Sequence, residues 1–356
     1  MIHATRRRSL LALSLALSGV ILLAGAASAA PPGWTNPALA FAQANGPEHA
    51  MVLDSAGYVH MAVEGTTTRG IFYVTNAPSG TWSHTRITTG HDHDPSIAIN
   101  GADHVVIAFD RRDASEANSF GIWTASESSG VWTATRRYSG QAFFPSVQLH
   151  NARIALAFMG PSHTLVYRTN LSGSWATHTV AAGCCSGGPS LRLNGTQPDI
   201  AWSKSGSTGS GALKFSSVSG GWYTVTADGH ATYDPTLVLD GGAPDIVYVR
   251  SSGGTYVAVV AQSGWSYHGY GSSYVDVPDM AIGSGSVLSI VEGNGSQLRL
   301  VKVSATALAS PTYTTLTSTG QDFHPEVELY LGGHPRVVFD RAAGTSSDGV
   351  YFMERP

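Results

Sequence analysis

Three histidines stand at equivalent places in this 356-residue sequence, each beside the start of an alternating apolar segment: His49, His93 and His324. A neutral imidazole can accept or donate a proton near pH 7, and it can also bind a metal ion. The run His91-Asp92-His93-Asp94 adds further side chains of metal-ligand type. One interpretation is therefore that this run binds a divalent cation. The other interpretation is a polar loop whose aspartate caps a turn before Pro95.

Carboxylates followed by arginine form a second recurring feature. Asp110-Arg111 and Asp340-Arg341 occupy matching frames, IAFDRR and VVFDRA. An exposed guanidinium there could hold the carboxylate of an acidic sugar in a bidentate pair. The alternative is a structural Asp–Arg pair that joins loops. Acids such as Asp94, Asp110 and Asp340 could also supply the proton donor and the nucleophile or base of a glycosidase.

The only two cysteines, Cys184 and Cys185, are adjacent. In an exported protein we expect them to form a vicinal disulfide, which would present a stiff apolar knob. Two buried thiols or an intermolecular pair are the alternatives. Nearby tyrosines could stack on sugars or serve as a proton donor in elimination.

These residues give one set of site predictions. The catalytic candidates are His93, Asp94, His324, Asp110 and Asp340. The substrate-binding candidates are His49, Arg111, Arg341, Glu64, Asp234, Tyr233, Phe144, Cys184 and Cys185.

A repeat must position these side chains. A proline, two alternating apolar strands and an Asn/Asp/Gly turn recur along the chain, which is the pattern of a β-hairpin. A third strand, and in most copies a fourth with a tryptophan, complete units of about 47 residues, the size of a propeller blade. The repeat prolines are Pro95, Pro145, Pro189, Pro235, Pro278 and Pro325, and a seventh copy starts at His49. We therefore predict an all-β, seven-bladed β-propeller with four antiparallel strands per blade.

Closure of the ring is also predicted. The last unit ends after its third strand at Pro356, and the segment around Trp34 matches a missing fourth strand. The N-terminal strand should therefore complete the last blade and remove an exposed sheet edge.

The predicted topology places the candidate residues on one face, where outer strands connect to the next inner strand and where second strands connect to third strands. Blades 7, 1 and 2, which become consecutive when the ring closes, carry the histidines and the Asp-Arg pairs. Blades 3 and 4 present Phe143-Phe144, Met159 and the cysteines instead. We expect one asymmetric site for a small molecule or glycan, with polar groups facing an apolar wall.

The N-terminal segment resembles an export signal, with Arg6 to Arg8, an apolar run and an Ala-Ser-Ala cleavage site. We expect residues 1–29 to be a signal peptide, by either the general or the twin-arginine route, and residues 30–356 to form one secreted, extracellular or periplasmic domain. Charged residues make up 12% of the chain, about half the usual share. With few lysines and a net charge of −4, a nucleic-acid partner is not expected. No second membrane-length apolar segment occurs, and we expect a monomer.

Three Ser-Gly-x-Trp turns, at Ser79, Ser129 and Ser172, resemble degenerate Asp-box (BNR) turns of the sialidase-like superfamily of secreted bacterial propellers. The aspartate of that motif is missing from them. The resemblance implies a carbohydrate-active protein: a glycoside hydrolase, a polysaccharide lyase or a lectin that binds a glycan. True sialidases have six blades and three arginines, so seven repeats argue against that activity. A protein-interaction scaffold without catalysis is a further alternative.

Overall fold

The computed structural model describes residues 30–43, 48–112, 120–184, 187–204, 211–218, 221–252, 255–262, 266–270, 277–293, 297–318, 322–342 and 348–356. The predicted signal peptide, residues 1–29, lies outside these ranges. In the described part of the chain, no helix has the length and apolar character needed to cross a membrane.

Seven four-stranded antiparallel sheets form the fold, which confirms the predicted propeller. Blade 1 holds β2 (His49–Leu53), β3 (Val59–Glu64), β4 (Ile71–Thr75) and β5 (Ser83–Arg86). Blade 2 holds β6 (Asp92–Ile99), β7 (Val105–Arg111), β8 (Gly121–Ser128) and β9 (Val131–Ser139). Blade 3 holds β10 (Phe143–His150), β11 (Arg153–Gly160), β12 (Thr164–Thr169) and β13 (Ala176–Ala182). Blade 4 holds β14 (Ser190–Asn194), β15 (Gln197–Lys204), β16 (Ala212–Val218) and β17 (Trp222–Asp228).

The remaining blades follow the same order. Blade 5 holds β18 (Ala231–Asp240), β19 (Ala243–Ser252), β20 (Thr255–Gln262) and β21 (Tyr267–Tyr270). Blade 6 holds β22 (Asp279–Gly283), β23 (Val287–Gly293), β24 (Leu298–Ser304) and β25 (Thr312–Thr317). Blade 7 holds β26 (Asp322–Tyr330), β27 (His334–Arg341), β28 (Gly349–Glu354) and, as its outer strand, β1 (Ala38–Ala42).

The N-terminal strand closes the ring as predicted, because β1 pairs with β28 from Ala38 opposite Phe352 to Ala42 opposite Gly349. Trp34 itself lies four residues before that strand, in a turn, and is partly buried against the apolar cluster shared by blades 6 and 7. The strand therefore begins later in the chain than the spacing of the tryptophans suggests.

Inner strands present one side to the core and the other to a central channel, as period-two alternation requires. Val147, Leu191 and Leu237 are buried between blades, whereas the residue before each one contacts the neighbouring blade across the channel wall. The backbone N–H groups of Val147, Leu191 and Leu237 donate hydrogen bonds to hydroxyls of the preceding blade. The acceptors are Ser96, Ser146 and Ser190, respectively, at 2.9, 3.1 and 3.0 Å. Asp279 and Glu326 accept the equivalent bonds from Val327 and Met51, at 2.9 and 2.6 Å.

A β-bulge at the start of four inner strands directs side chains toward the channel. In blades 2, 3, 5 and 7 the pairing register shifts between the residue two places before the repeat proline and the residue after it. The residue just before that proline is left-handed in each case, with φ of +48° at Asp94, +55° at Phe144, and +45° at both Asp234 and His324. Non-glycine residues rarely adopt this conformation, and it concentrates at functional sites.

Candidate functional site

The channel opens on the upper face, which we define as the face carrying the connections from each outer strand to the next inner strand. The cavity there has a volume of about 630 Å³ and continues down the channel. One residue from each blade borders its mouth: Glu48, Asp94, Phe144, Gly188, Asp234, Val277 and His324.

A second ring of residues stands behind the mouth, at the end of each second strand. In three consecutive blades this position is acidic: Glu64 in blade 1, Asp110 in blade 2 and Asp340 in blade 7. Blades 3 to 6 carry Met159, Ser203, Val249 and Gly293 there. The structure thus brings the acidic positions of blades 7, 1 and 2 next to one another, while the rest of this ring is uncharged.

Asp94 and Asp110 share the guanidinium of Arg112. Arg112 Nε donates to Asp110 Oδ1 at 2.7 Å and Arg112 Nη2 donates to Asp110 Oδ2 at 2.9 Å, so this pair is bidentate. The same Nη2 also contacts Asp94 Oδ2. The backbone N–H of Phe144 donates to Asp110 Oδ2 at 3.1 Å, which ties blade 3 to the cluster. Asp110 is fully buried, and Asp94 is 9% exposed.

Asp94 is the carboxyl of this cluster whose pKa is raised well above its usual range. Burial raises the pKa of Asp94 well above its usual range, and the charges of Glu48 and Asp110 add to that rise. A hydrogen bond with the Glu48 side chain raises it further, while Arg112 opposes the change. Two carboxyls that share one proton behave in this way because they cannot both ionise at contact distance.

His93 and Glu64 form a second acid–base pair, with His93 Nδ1 and Glu64 Oε1 separated by 2.9 Å. Burial opposes a charge on His93, but the hydrogen bond and the charge of Glu64 outweigh it, and the pKa of His93 is raised. The His93 side chain keeps 32% of its surface exposed, whereas that of Glu64 keeps 16%. The imidazole is therefore the more exposed member of the pair, although His93 is not among the residues that border the cavity.

Blade 7 has a second histidine–carboxylate pair, formed by His324 and Asp340 of the same blade. His324 immediately precedes its repeat proline, as Asp94 does, so it does not occupy the position of His93. The distance from His324 Nδ1 to Asp340 Oδ1 is 3.3 Å, and the side chains are 35% and 2% exposed. His49, from blade 1, is 8% exposed and lines the same cavity. His49 and His324 therefore border one cavity, and His93 is not among the residues that line it.

Arg111 and Arg341 point away from this cluster. Arg111 pairs with Asp92 at 2.5 and 3.0 Å, and Arg341 pairs with Asp322 at 2.6 and 3.0 Å, both within their own blades. Each guanidinium also lies over an aromatic ring, that of Trp123 at 4.4 Å and that of Tyr351 at 4.5 Å.

Blade 5 also has an arginine, Arg250, at the position equivalent to Arg111. It donates to Asp228 Oδ2 of blade 4 at 2.7 Å, so its carboxylate partner comes from the neighbouring blade. Because the arginines at this position in blades 2, 5 and 7 all pair with an aspartate, they support the structural alternative for Arg111 and Arg341.

The remaining binding candidates divide between the mouth and its walls. Asp234 lines the mouth against Gly187, where an added Cβ would lie 2.1 Å from Asp234 Oδ1. Phe144 is buried, and its ring lies 5.5 Å from the Arg112 guanidinium carbon, so it forms a wall beneath that arginine. Tyr233 is partly buried in β18 and is not among the residues that border the cavity.

Cys184 is fully buried in the apolar cluster of blades 3 and 4, with Phe144 and Met159. Cys185 lies outside the described residues. The vicinal disulfide and its role at the mouth stay predictions.

The run His91-Asp92-His93-Asp94 does not converge on one point. His91 contacts Arg69, Asp92 pairs with Arg111, His93 with Glu64, and Asp94 with Arg112. Within the described ranges, no group of three or more histidine, cysteine or acidic side chains is arranged to hold a metal ion. The divalent cation therefore remains a prediction without a ligand set.

The structure adds two residues that the site predictions omit, Arg112 and Glu48. Strand alternation could have identified Arg112, because residues 110 and 112 project to the same side of the chain and residue 111 to the other. Glu48 precedes the inner strand of blade 1 much as Asp94 precedes that of blade 2, which marks its position, but its contact with Asp94 depends on the distance between the entry segments of two neighbouring blades.

Comparison with known proteins shows the fold. No family model matches the chain, and no curated protein matches its sequence. An α-L-arabinanase from Penicillium chrysogenum, complexed with arabinobiose, matches with a TM-score of 0.57 and 12% identity over 91% of this chain and 98% of that chain. An ulvan lyase bound to -[GlcA(1-4)Rha3S]- matches with a TM-score of 0.58 and 11% identity over 88% of this chain and 94% of that chain. The SapL1 lectin, in complex with alpha methyl fucoside, matches with a TM-score of 0.51 and 10% identity over 77% of this chain and 96% of that chain. At these identities, the chain is similar to an arabinanase, an ulvan lyase and a lectin in its β-propeller fold.

Proposed function

We propose that this protein is a secreted carbohydrate-active enzyme, a glycoside hydrolase whose single site is the acidic side of the upper mouth. The observation that carries the proposal is the Glu48–Asp94 carboxyl pair at the cavity, in which burial and the charges of Glu48 and Asp110 raise the pKa of Asp94 well above its usual range. Glycoside hydrolysis needs a carboxylic acid with a raised pKa to protonate the leaving oxygen. Asp94 lines the cavity.

The other groups of the mouth have supporting roles in this proposal. Arg112 holds Asp94 and Asp110 in place, and the imidazoles of His93 and His324 contact the sugar hydroxyls. Asp234, from blade 5, is a carboxylate on another part of the same rim and is our candidate for the base or nucleophile. The solved structures with this fold include an arabinanase with a bound arabinobiose, which supports the choice of a glycan as substrate.

The test combines a polysaccharide panel with two variants. Wild-type protein should release reducing ends from one member of the panel, and Asp94→Asn should lower that rate by about 100-fold or more, since it removes the proton donor. Glu48→Gln should keep activity but move the loss of activity at high pH to a lower pH, because the charge of Glu48 holds the pKa of Asp94 up.

Asp103→Asn is the matched control, because Asp103 is an exposed aspartate that bonds Ser55 far from the mouth. It should leave the rate and the pH profile unchanged. Full activity in Asp94→Asn would refute the assignment of the acid.

A polysaccharide lyase is the second candidate, and the two braced histidines favour it. His93 and His324 are the more exposed members of their pairs, and each has a carboxylate on Nδ1. This arrangement suits an imidazole that removes a proton next to a uronate carboxyl group. The same panel separates the two, since elimination yields an unsaturated uronate with ultraviolet absorbance. Binding without either product would support a lectin-like protein.

A further inference from the structure

Two arginines from neighbouring blades meet at one tryptophan, and none of these three residues borders the cavity. Arg137, in the outer strand β9 of blade 2, has its guanidinium carbon 5.1 Å from the ring centroid of Trp175. Arg168, in strand β12 of blade 3, lies at the same distance from that ring. Trp175 is partly buried between these two blades.

Neutral hydroxyl groups are the hydrogen-bond partners of both guanidinium groups. Arg137 Nε donates to Thr124 Oγ1 at 2.7 Å, and Arg168 Nη1 donates to Thr177 Oγ1. The Nε atom of Arg168 is buried without a hydrogen-bond partner. Among the described residues, no carboxylate forms an ion pair with Arg137 or Arg168.

Other arginines that lie over aromatic rings do have a counter-charge. Arg111, Arg250 and Arg341 each pair with an aspartate, and Arg336 pairs with Glu354 at 3.1 Å while lying over the ring of Tyr330. Burial lowers the pKa of Arg137, and the charge of Arg168 lowers it further. Two guanidinium groups that repel each other gain the most from an anion placed between them.

We propose that Arg137, Trp175 and Arg168 form a second site, which binds the sulfate or carboxylate groups of an acidic polysaccharide. Guanidinium groups bind both anions in a bidentate manner, and the exposed Thr177 hydroxyl adds a polar contact at the rim. The site lies on the outer side of blades 2 and 3, and it does not depend on the proposed activity of the mouth.

Three polymers with one backbone test the proposal: dextran, dextran sulfate and carboxymethyl dextran. At constant ionic strength, wild-type protein should bind at least one charged polymer about tenfold or more tightly than dextran in calorimetry or affinity electrophoresis. The charged polymer that binds more tightly shows whether the site prefers sulfate or carboxylate groups. Equal binding of all three polymers would overturn the proposal.

Variants assign the binding to this pair. Arg137→Gln/Arg168→Gln should lose about tenfold or more in affinity for the preferred polymer, and Arg168→Lys, which keeps the charge, should lose less. Arg336→Gln is the matched control, since it removes a guanidinium that lies over an aromatic ring but already has a carboxylate partner. Its affinity should stay within about twofold of wild type.

Two results would refute the site even if binding occurs. One is an equal loss in Arg336→Gln and in the double variant, which would indicate attraction to surface charge in general. The other is unchanged binding in a double variant whose thermal unfolding matches wild type. Asp94→Asn, in the mouth, should leave binding intact, so failure of the proposed hydrolase and failure of this site are distinguishable.

Discussion

Glu328 makes the stability of the propeller depend on pH in a calculable way. This residue faces the central channel from β26, with Asp279 from blade 6 and Arg192 from blade 4 close enough to interact with its charge. Burial raises the pKa of Glu328 from 4.5 to about 7, against the opposing charge of Arg192. We predict that Glu328→Gln stabilises the protein at high pH and has little effect at low pH.

The sign follows from the raised pKa. In the folded chain, Glu328 holds its proton to a higher pH than in the unfolded chain, so its favourable contribution is complete below 4.5 and is lost as the pH rises toward 7. Each unit of pKa difference corresponds to about 1.4 kcal/mol, which sets an upper limit of about 3 kcal/mol. Glu328 is only partly buried, and solvent screening reduces the expected gain in Glu328→Gln to about 1–2 kcal/mol at about pH 8.

Urea unfolding of wild type and variant between about pH 4 and pH 8 measures this difference. The free energies of unfolding should coincide at the acidic end and separate as the pH rises through the window. Glu127→Gln is the control, because Glu127 is an exposed glutamate in the β8–β9 hairpin, and its effect should not change with pH. A constant difference for Glu328→Gln across the whole range would refute the reasoning.

Two further substitutions test the contacts that hold the mouth together. Arg112→Gln leaves Asp110, which is fully buried, without its bidentate partner. We expect a loss of about 3–5 kcal/mol in the free energy of unfolding at neutral pH, measured in urea, and a loss below about 1 kcal/mol would contradict the role given to the pair. Gly187→Ala places a Cβ 2.1 Å from Asp234 Oδ1, and we expect about 1–3 kcal/mol of destabilisation. Gly101→Ala, where the added Cβ meets nothing within 4 Å, is its control, and equal effects in these two alanine variants would show that the contact with Asp234 is unimportant.

The ring could be predicted because its determinants are local and repeated. Each blade carries its own proline, turn and alternating strands, and a unit lacking its fourth strand, as in residues 322–356, points to the other end of the chain. The place of β1 was less well determined. Thr35 already bonds Glu354 through its backbone N–H at 2.9 Å, but Pro37 has no N–H to continue the ladder, so regular pairing begins at Ala38.

The site was predictable at the level of blades and less so at the level of atoms. Residue types at equivalent positions identify blades 7, 1 and 2, which the structure brings together. It was harder to predict which of the adjacent Arg111 and Arg112 reaches the mouth. Adjacent residues of a strand face opposite sides, but β7 ends at Arg111, so alternation alone does not fix the direction of Arg112. The hydrogen bond between Glu48 and Asp94 depends on the separation of two loops, which no spacing in the sequence encodes.

The acidic positions at the ends of the second strands occur in adjacent blades for a physical reason. Asp110 and Asp340 are almost completely buried, and a buried carboxylate without a partner is strongly destabilising. Asp110 meets Arg112, and Asp340 meets His324, which stands one blade from His49. Blades 4 and 5 hold the buried, uncharged Ser203 and Val249 at this position. The acids of this ring and the cations or imidazoles that pair with them therefore lie in blades 7, 1 and 2, and this arc is where a single asymmetric site can form.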